Sequence, residues 1–232
     1  RNNAGGDAIQ DTAREFGFGS VTGIPIGNES KGRIPDEEWK KKVHDENPQA
    51  FPYAQWLPGD NVNTSVGQGD TLVTPIQLSM AYSAFANGGS LYQPQLVSEI
   101  RESGSTKVIK KIKPKLRTSI SISPELLASM KEGFTGVVIG EKGTAATAFS
   151  SFPSTIPVAG KTGTAEVNGK QDTSLFVGFT PVKKPNFVAV AIIEEAGWGS
   201  GTAAPIVKRT FEGAYGLPIT DVIFAPPPGG AD

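Results

Sequence analysis

The chain has 232 residues, 22 Lys+Arg against 23 Asp+Glu, one histidine and no cysteine. That length fits one large domain or two small ones, with room for a hydrophobic core that needs no disulfide or metal staple. A net charge of −1 gives no electrostatic case for nucleic-acid binding, the missing cysteines exclude a thiol nucleophile, and a lone His44 excludes a histidine-cluster metal site.

No run reaches the roughly 18 apolar residues a membrane span needs, and the opening residues lack a signal-peptide pattern. Arg1-Asn2-Asn3 lacks an initiator methionine, so the chain is expected to be a piece of something longer. Ala8, Ile9, Thr12, Ala13 and Phe16 recur near helical spacing, with Gly17 placed as a cap, and predict a first helix. Residues 17–35 read as loop. Asp36-Glu37-Glu38 before Lys40-Lys41-Lys42 complements a helix dipole and predicts a short exposed helix. From Asn47 to Asn61 the chain is Pro-, Gly- and aromatic-rich and is expected to be an irregular, packed surface segment.

Thr74-Pro75-Ile76-Gln77 is the strongest helix start, a capping box with proline at the first helical position. Its apolar face is Ile76, Met80, Ala81, Ala84 and Phe85, and Asn87-Gly88-Gly89 ends it. Leu91–Ile100 alternates as one strand, and the basic run Lys107–Lys115 reads as a solvated edge or hairpin. Ser123-Pro124-Glu125 opens another helix, with an expected inner face of Leu126, Leu127, Met130, Phe134 and Val137. The last third then changes period. Val158–Glu166, Leu175–Phe179 and Phe187–Ile193 read as strands, with Asn168-Gly169 as a hairpin turn. Thr202–Tyr215 reads as a covering helix with a face of Ile206, Arg209, Thr210 and Gly213. The order is α+β: a helical region, then antiparallel strands, then a covering C-terminal helix. A single domain over 1–217 and an extended or disordered tail over 218–232 are expected.

One string carries candidate chemistry: Gly160-Lys161-Thr162-Gly163-Thr164-Ala165, inside a strand. Glycine weakens a strand interior, so Gly160 and Gly163 imply close approach of another backbone or a ligand. A cation and hydroxyls beside them suit a carboxylate-bearing ligand, and a peptide could add alongside as a further strand. The plain alternative is an edge strand with a protective lysine.

Lys161-Thr162-Gly163 resembles the third motif of β-lactamases and penicillin-binding proteins. Its surroundings extend the likeness. Ser65-Val66-Gly67-Gln68-Gly69-Asp70 followed by Thr74-Pro75-Ile76-Gln77-Leu78 is similar to a stretch of class B penicillin-binding proteins. So are Phe16-Gly17-Phe18-Gly19 with Thr22-Gly23-Ile24, Ala86-Asn87-Gly88-Gly89 with Pro94, Phe176–Pro181 and Gly201-Thr202-Ala203-Ala204-Pro205. The resemblance runs from about Gly5 to Tyr215 and is greatest to the elongation-type penicillin-binding protein 2 group. It implies an incomplete penicillin-binding protein/serine β-lactamase-like transpeptidase fold.

The same resemblance implies serine acyl transfer on D-Ala-D-Ala stem peptides of peptidoglycan, acylation by β-lactam antibiotics, and no cofactor or metal. It also implies a parent at the extracytoplasmic face of the bacterial membrane, anchored by an upstream helix and partnered by a membrane SEDS-type glycosyltransferase. By position, Lys161 and Thr162 would bind the ligand carboxylate, Gly163 would keep the strand open, and the Thr164 hydroxyl would also face the carboxylate. The Thr164 N–H would be one of two oxyanion-hole donors, each worth about 3–4 kcal/mol in such sites.

The sequence departs from the pattern in one large respect. No lysine has a serine three residues before it, and no asparagine has a serine two before it, so the S-x-x-K and S-x-N motifs are missing. In the family they precede the Phe16-Gly17-like loop, so they are expected upstream of Arg1, and this chain alone is expected to be inactive. A sheet edge that upstream strands would cover is expected to be open. Two other readings stand beside the transpeptidase: a penicillin-recognising sensor or degenerate homologue without turnover, and a D,D-carboxypeptidase or β-lactamase-like hydrolase. His44 reads as a surface histidine and Glu194-Glu195 as solvated strand-end charge. Trp39, Phe51, Tyr53 and Trp56 read as packing of an irregular segment, and Gln68 as a residue that shapes a cleft floor without catalysing.

Overall fold

The computed structural model describes residues 7–221, in two compact units. The first holds the described residues up to Met80 together with Leu91–Thr118; the second holds Ala81–Ser90 and the described residues from Ser119 onward. Of the expected tail, Pro218–Asp221 form no helix or strand, and the Pro-rich remainder lies outside the described residues.

In the first unit α1 (Ala8–Glu15) precedes α2 (Glu37–Glu46), α3 (Pro58–Ser65) and the opening turns of α4 (Pro75–Ala86). Of the residues that set the period of α1, Ala8, Ala13 and Phe16 are half-buried while Ile9 is 51% exposed, and Gln10 is buried beside them. Gly17 follows at φ +90°, where a side chain would strike Met80 Cε at 2.6 Å. Asp36 caps α2 by accepting the Trp39 N–H at 2.8 Å. The Arg33 guanidinium lies 4.7 Å from the Trp39 ring centre, and Phe51 meets that ring edge-on at 5.8 Å. The aromatic group is therefore packing, as expected, although Tyr53 is exposed.

The segment expected to be irregular turns helical at Pro58. Proline stands at the start of α3, and Asp60 Oδ2 accepts the Leu57 N–H at 2.6 Å. No residue of α3 is buried, so it has no apolar stripe for periodicity to find.

The α4 start forms the reciprocal capping box expected. Thr74 N–H donates to Gln77 Oε1 at 2.9 Å, and Gln77 N–H donates to Thr74 Oγ1 at 3.2 Å. Gln77 is fully buried, and its Nε2 donates to the carbonyls of Ser20 and Lys31 at 2.8 Å each. One side chain thus starts a helix and closes both ends of a loop.

The stretch 91–100 is two strands rather than one, β1 (Ser90–Tyr92) and β2 (Glu99–Arg101). Pro94 lies between them and brings no N–H to a ladder. β2 pairs antiparallel with β3 (Val108–Lys111), whose four residues are all exposed, so the basic run is a solvated hairpin. β4 (Leu116–Ser119) runs beside β1.

The second unit centres on a three-stranded antiparallel sheet, β5 (Ala159–Ala165), β6 (Thr173–Thr180) and β7 (Phe187–Ile193), in that order. Lys161 faces Val177, Thr164 faces Ser174 and Phe176 faces Ala191. Gly169 at φ +74° makes the expected turn between β5 and β6. β5 and β7 are the sheet edges among the described residues.

Helices cover both faces. On one, Phe176 packs 5.5 Å from Phe149 of α6 (Ala146–Phe149) within a cluster that includes Phe152, Val207 and Phe211, the last two carried by α7 (Ala203–Ala214). On the other, Phe179 lies 6.1 Å from Phe85, which meets Phe134 of α5 (Pro124–Ile139) at 5.4 Å. Phe176, Phe179 and Phe211 are almost wholly buried, each worth about 1.5–3 kcal/mol against exposure. The α+β order with a covering C-terminal helix is the architecture observed.

Two helix faces differ from expectation. In α7 the buried side is Ala203, Ala204, Val207, Lys208, Phe211 and Glu212, while Arg209, Thr210 and Gly213 are exposed. Lys208 and Glu212 form an ion pair of 3.6 Å inside the core; Lys208 also donates to Ser151 Oγ at 2.5 Å, and Glu212 accepts the Thr220 N–H at 2.9 Å. In α5, Leu126 and Met130 are exposed, while Val138 is buried and Lys131 turns inward. Lys131 Nζ donates to the Ala86 carbonyl at 2.8 Å, closing the end of α4, and lies 6.0 Å over the Phe179 ring. Desolvation lowers the Lys131 pKa, and burial pushes Tyr82 up to about 12. Among the described residues no helix is long and apolar enough to cross a membrane.

Candidate functional site

The four residues singled out in sequence stand together on β5, an edge strand. Its two glycines answer different demands. A Cβ at Gly160 would fall 2.5 Å from Phe176 Cζ and 2.7 Å from the Val177 carbonyl, so the core beneath the strand excludes any side chain. At Gly163 a Cβ would come 3.2 Å from Leu175 Cβ, and the strand backbone there is approached by Gly199 from the loop before α7.

Lys161 is exposed, and among the described residues its ammonium donates to the neighbouring Thr162 carbonyl alone, at 2.6 Å. No carboxylate among the described residues pairs with it, which leaves a cation held at a strand edge beside hydroxyls. Thr162 is half-buried, and its Oγ1 lies 2.7 Å from Thr144 Oγ1. Thr164 is exposed and opposite Ser174.

Two loops frame the strand, and neither was visible as part of the site in sequence. Residues 140–145 join α5 to α6. Gly140 N–H donates to Gly136 O at 2.9 Å, and Ala145 N–H donates to Val137 O at 2.9 Å. A side chain at Gly143 would enter the Gly136 and Val137 carbonyls, so this loop sits directly on the end of α5.

Residues 194–202 form the second loop. Ser174, completely buried, donates its Oγ proton to Trp198 O at 3.0 Å and accepts the Ala203 N–H at 3.0 Å. Ala196 and Gly197 N–H both donate to Asp172 O at 3.0 Å, and Thr202 Oγ1 donates to Ala196 O at 3.0 Å. The exposed Trp198 indole is carried on this loop. The Gly201-Thr202-Ala203-Ala204-Pro205 string marked the end of this loop, but the approach of Gly199 to β5 is tertiary.

The remaining candidates fall elsewhere. His44 Nδ1 lies 2.7 Å from the Phe51 carbonyl, as a half-buried histidine in a packed segment. Glu195 pairs with Lys170 at 3.2 Å with both side chains solvated. Gln68 N–H donates to Asn63 O at 2.9 Å past the end of α3. A cavity of about 590 Å³ in the first unit is lined by Arg14, Lys31, Arg33, Trp39 and Thr74, among others. One of about 690 Å³ in the second unit is lined by Leu127, Lys131, Ile139 and Val182, among others. Neither includes β5.

An antiparallel sheet covered by helices on both faces, with Lys-Thr-Gly-Thr on its edge strand, defines a domain of the penicillin-recognising transpeptidase fold. The chain belongs to the family described as penicillin binding protein transpeptidase domain, whose family model matches residues 1–212. The peptidoglycan D,D-transpeptidase MrdA of Acinetobacter baumannii is 31% identical over 226 residues, covering 91% of this chain and 31% of the relative. A crystal structure of Pseudomonas aeruginosa PBP2 in complex with WCK 5153 superposes with a TM-score of 0.73 at 30% identity, covering 88% of this chain and 43% of that one. A peptidoglycan synthase complex that coordinates polymerization and crosslinking contains a chain matched with a TM-score of 0.73 at 28% identity, covering 91% of this chain and 34% of that one. This chain spans about a third of the length of the curated relatives it matches.

Proposed function

We propose that this chain is the later part of a peptidoglycan D,D-transpeptidase, and that β5 is its carboxylate-binding strand. The observation that carries the reading is Lys161: an exposed ammonium without a carboxylate partner among the described residues, flanked on one edge strand by Thr162 and Thr164. Such a set offers a charge-assisted site to the terminal carboxylate of a D-Ala-D-Ala stem peptide or to the carboxylate of a β-lactam. The similarity to MrdA supports the substrate class.

In this reading a serine outside the sequence given attacks the carbonyl carbon of the penultimate D-Ala. The bond to the terminal D-Ala breaks, and its nitrogen leaves with a proton. The Thr164 N–H is one of two donors to the oxyanion that forms on the way. An amine of a neighbouring stem then attacks the ester, forms the cross-link and returns the serine hydroxyl. A β-lactam enters the same first step but keeps its leaving nitrogen tethered, so the ester persists. The chain itself contributes binding, orientation and one oxyanion donor. It contributes no nucleophile, because neither S-x-x-K nor S-x-N occurs in it.

The described region is part of a protein held at the extracytoplasmic face of the bacterial membrane, acting with a glycosyltransferase of the SEDS type. The match to a synthase complex that joins polymerization with crosslinking supports that partnership.

The test is acylation by a fluorescent penicillin. In the complete protein, Lys161→Ala removes a charged hydrogen bond and is expected to lower the acylation rate constant about ten- to a hundredfold with the fold intact. Acylation at the unaltered rate would remove Lys161 from the site. The present chain alone is expected to take no covalent label, and stoichiometric labelling would refute the assignment of the nucleophile to another segment.

A further inference from the structure

A hydroxyl has one proton to give. Thr144 Oγ1 and Thr162 Oγ1 stand 2.7 Å apart, so one of them donates and the other accepts. If Thr162 donates, its proton is used inside the protein and it meets an incoming carboxylate with lone pairs alone. If Thr144 donates, the Thr162 oxygen is satisfied as an acceptor and its own O–H is left to point at the ligand. The charged acceptor makes the stronger hydrogen bond, so a carboxylate selects the second arrangement.

Thr144 is unusually well placed to impose it. The residue is exposed, yet the backbone on either side is locked. Gly143 lies so close to the carbonyls of Gly136 and Val137 that no side chain fits there. Ala145 is fully buried, donates its N–H to Val137 O at 2.9 Å and accepts from Phe149 N–H at 3.1 Å. The Thr144 hydroxyl therefore reaches β5 from a fixed mount, at little cost in side-chain ordering.

We propose that Thr144 is a positioning residue of this site: it donates to Thr162 and thereby turns the Thr162 hydroxyl into a donor for the ligand carboxylate. The inference rests on the reading of β5 as the carboxylate-binding strand.

The experiment uses the complete protein, a fluorescent penicillin and the carboxyl methyl ester of the same compound, with Thr144→Val, Thr144→Ser, Thr162→Val and the double Val variant. Thr144→Val is expected to weaken formation of the pre-acylation complex with the free acid about five- to tenfold, the size of one hydrogen bond. Thr144→Ser should stay within about twofold of the parent, and the ester should barely distinguish the variants. The double variant should match Thr162→Val, because the two hydroxyls act as a unit. Equal unfolding midpoints separate these effects from damage to the fold, and Thr144→Ala replaces Thr144→Val if the latter fails to fold.

An unaltered Thr144→Val overturns the proposal. So does an equal loss for acid and ester, or a loss that simply adds to that of Thr162→Val. Lys161→Ala is measured in parallel. If it loses acylation while Thr144→Val does not, this inference alone falls; if neither changes, the reading of the strand falls with it.

Discussion

Gly199 rests against Gly163. A side chain at 199 would run into the carbonyls of Gly163 and Leu175 and come 3.0 Å from the Gly163 nitrogen, so the loop before α7 and the Lys161–Thr164 strand meet backbone to backbone. Backbone cannot turn aside as a flexible side chain can. Gly199→Ala is therefore expected to lift the loop off β5, at a cost of about 1–3 kcal/mol in stability. In the complete protein it should also slow acylation by a fluorescent penicillin. A variant that unfolds and acylates like the parent would show that the loop adapts freely.

The buried pair on α7 makes a sharper energetic test. Lys208 and Glu212 retain only 9% and 3% of their side-chain exposure, so removing one partner strands the other in the core. Lys208→Met or Glu212→Leu alone is expected to cost about 3–5 kcal/mol, and the double replacement less than either single one. Urea unfolding of this chain reads all three. A double variant as damaged as the sum of the singles would contradict the account.

Gln77→Leu removes a capping acceptor and two donors to the carbonyls of Ser20 and Lys31 at once. The expected loss is about 2–4 kcal/mol, more than a surface cap alone provides. Amide exchange should quicken in residues 20–32 as well as in the first turn of α4. Exchange confined to the helix start would mean that the glutamine does not hold the loop.

Glu29 gives a pH dependence with a definite sign. Desolvation, the largest single influence, would raise its pKa. Hydrogen bonds with Thr22 and Gly23 and the charge of Arg117 together outweigh it and hold the carboxyl below its ordinary 4.5. The carboxylate accepts the Thr22 N–H at 2.7 Å and the Gly23 N–H at 3.0 Å. A depressed folded value means that this contribution is complete above pH 4.5 and is lost as pH falls through the lowered value. Protection of the Thr22 and Gly23 amides should fall as pH is taken progressively below 4.5, and Glu29→Gln should flatten that dependence. Equal pH dependence in both proteins would separate the loop from Glu29.

The sheet and the chemistry-bearing strand were legible because β-runs, the Asn168-Gly169 turn and Lys161-Thr162-Gly163 are local signals. The face of α7 was not. Lys208 and Glu212 are charged, and polarity assigns them outward, yet each satisfies the other inside the core. Lys131 misled the reading of α5 in the same way, since its ammonium is satisfied by the Ala86 carbonyl. α3 escaped notice because it buries nothing, and α6 because four residues carry no period. Within the site, Thr144, Ser174 and Gly199 were hidden because their partners are 18, 29 and more residues away or on another strand.

Ser174 leaves one further consequence. The first amide of α7 is received by this hydroxyl from β6, 29 residues earlier, while Thr202 at the N-cap position makes no side-chain cap of its own. Starting a helix is the costly part of making one, and α7 has handed that step to the sheet. A peptide of residues 200–216 cut free from β6 lacks its initiator and should be largely coil. In the folding chain α7 is expected to form only once β6 is in place.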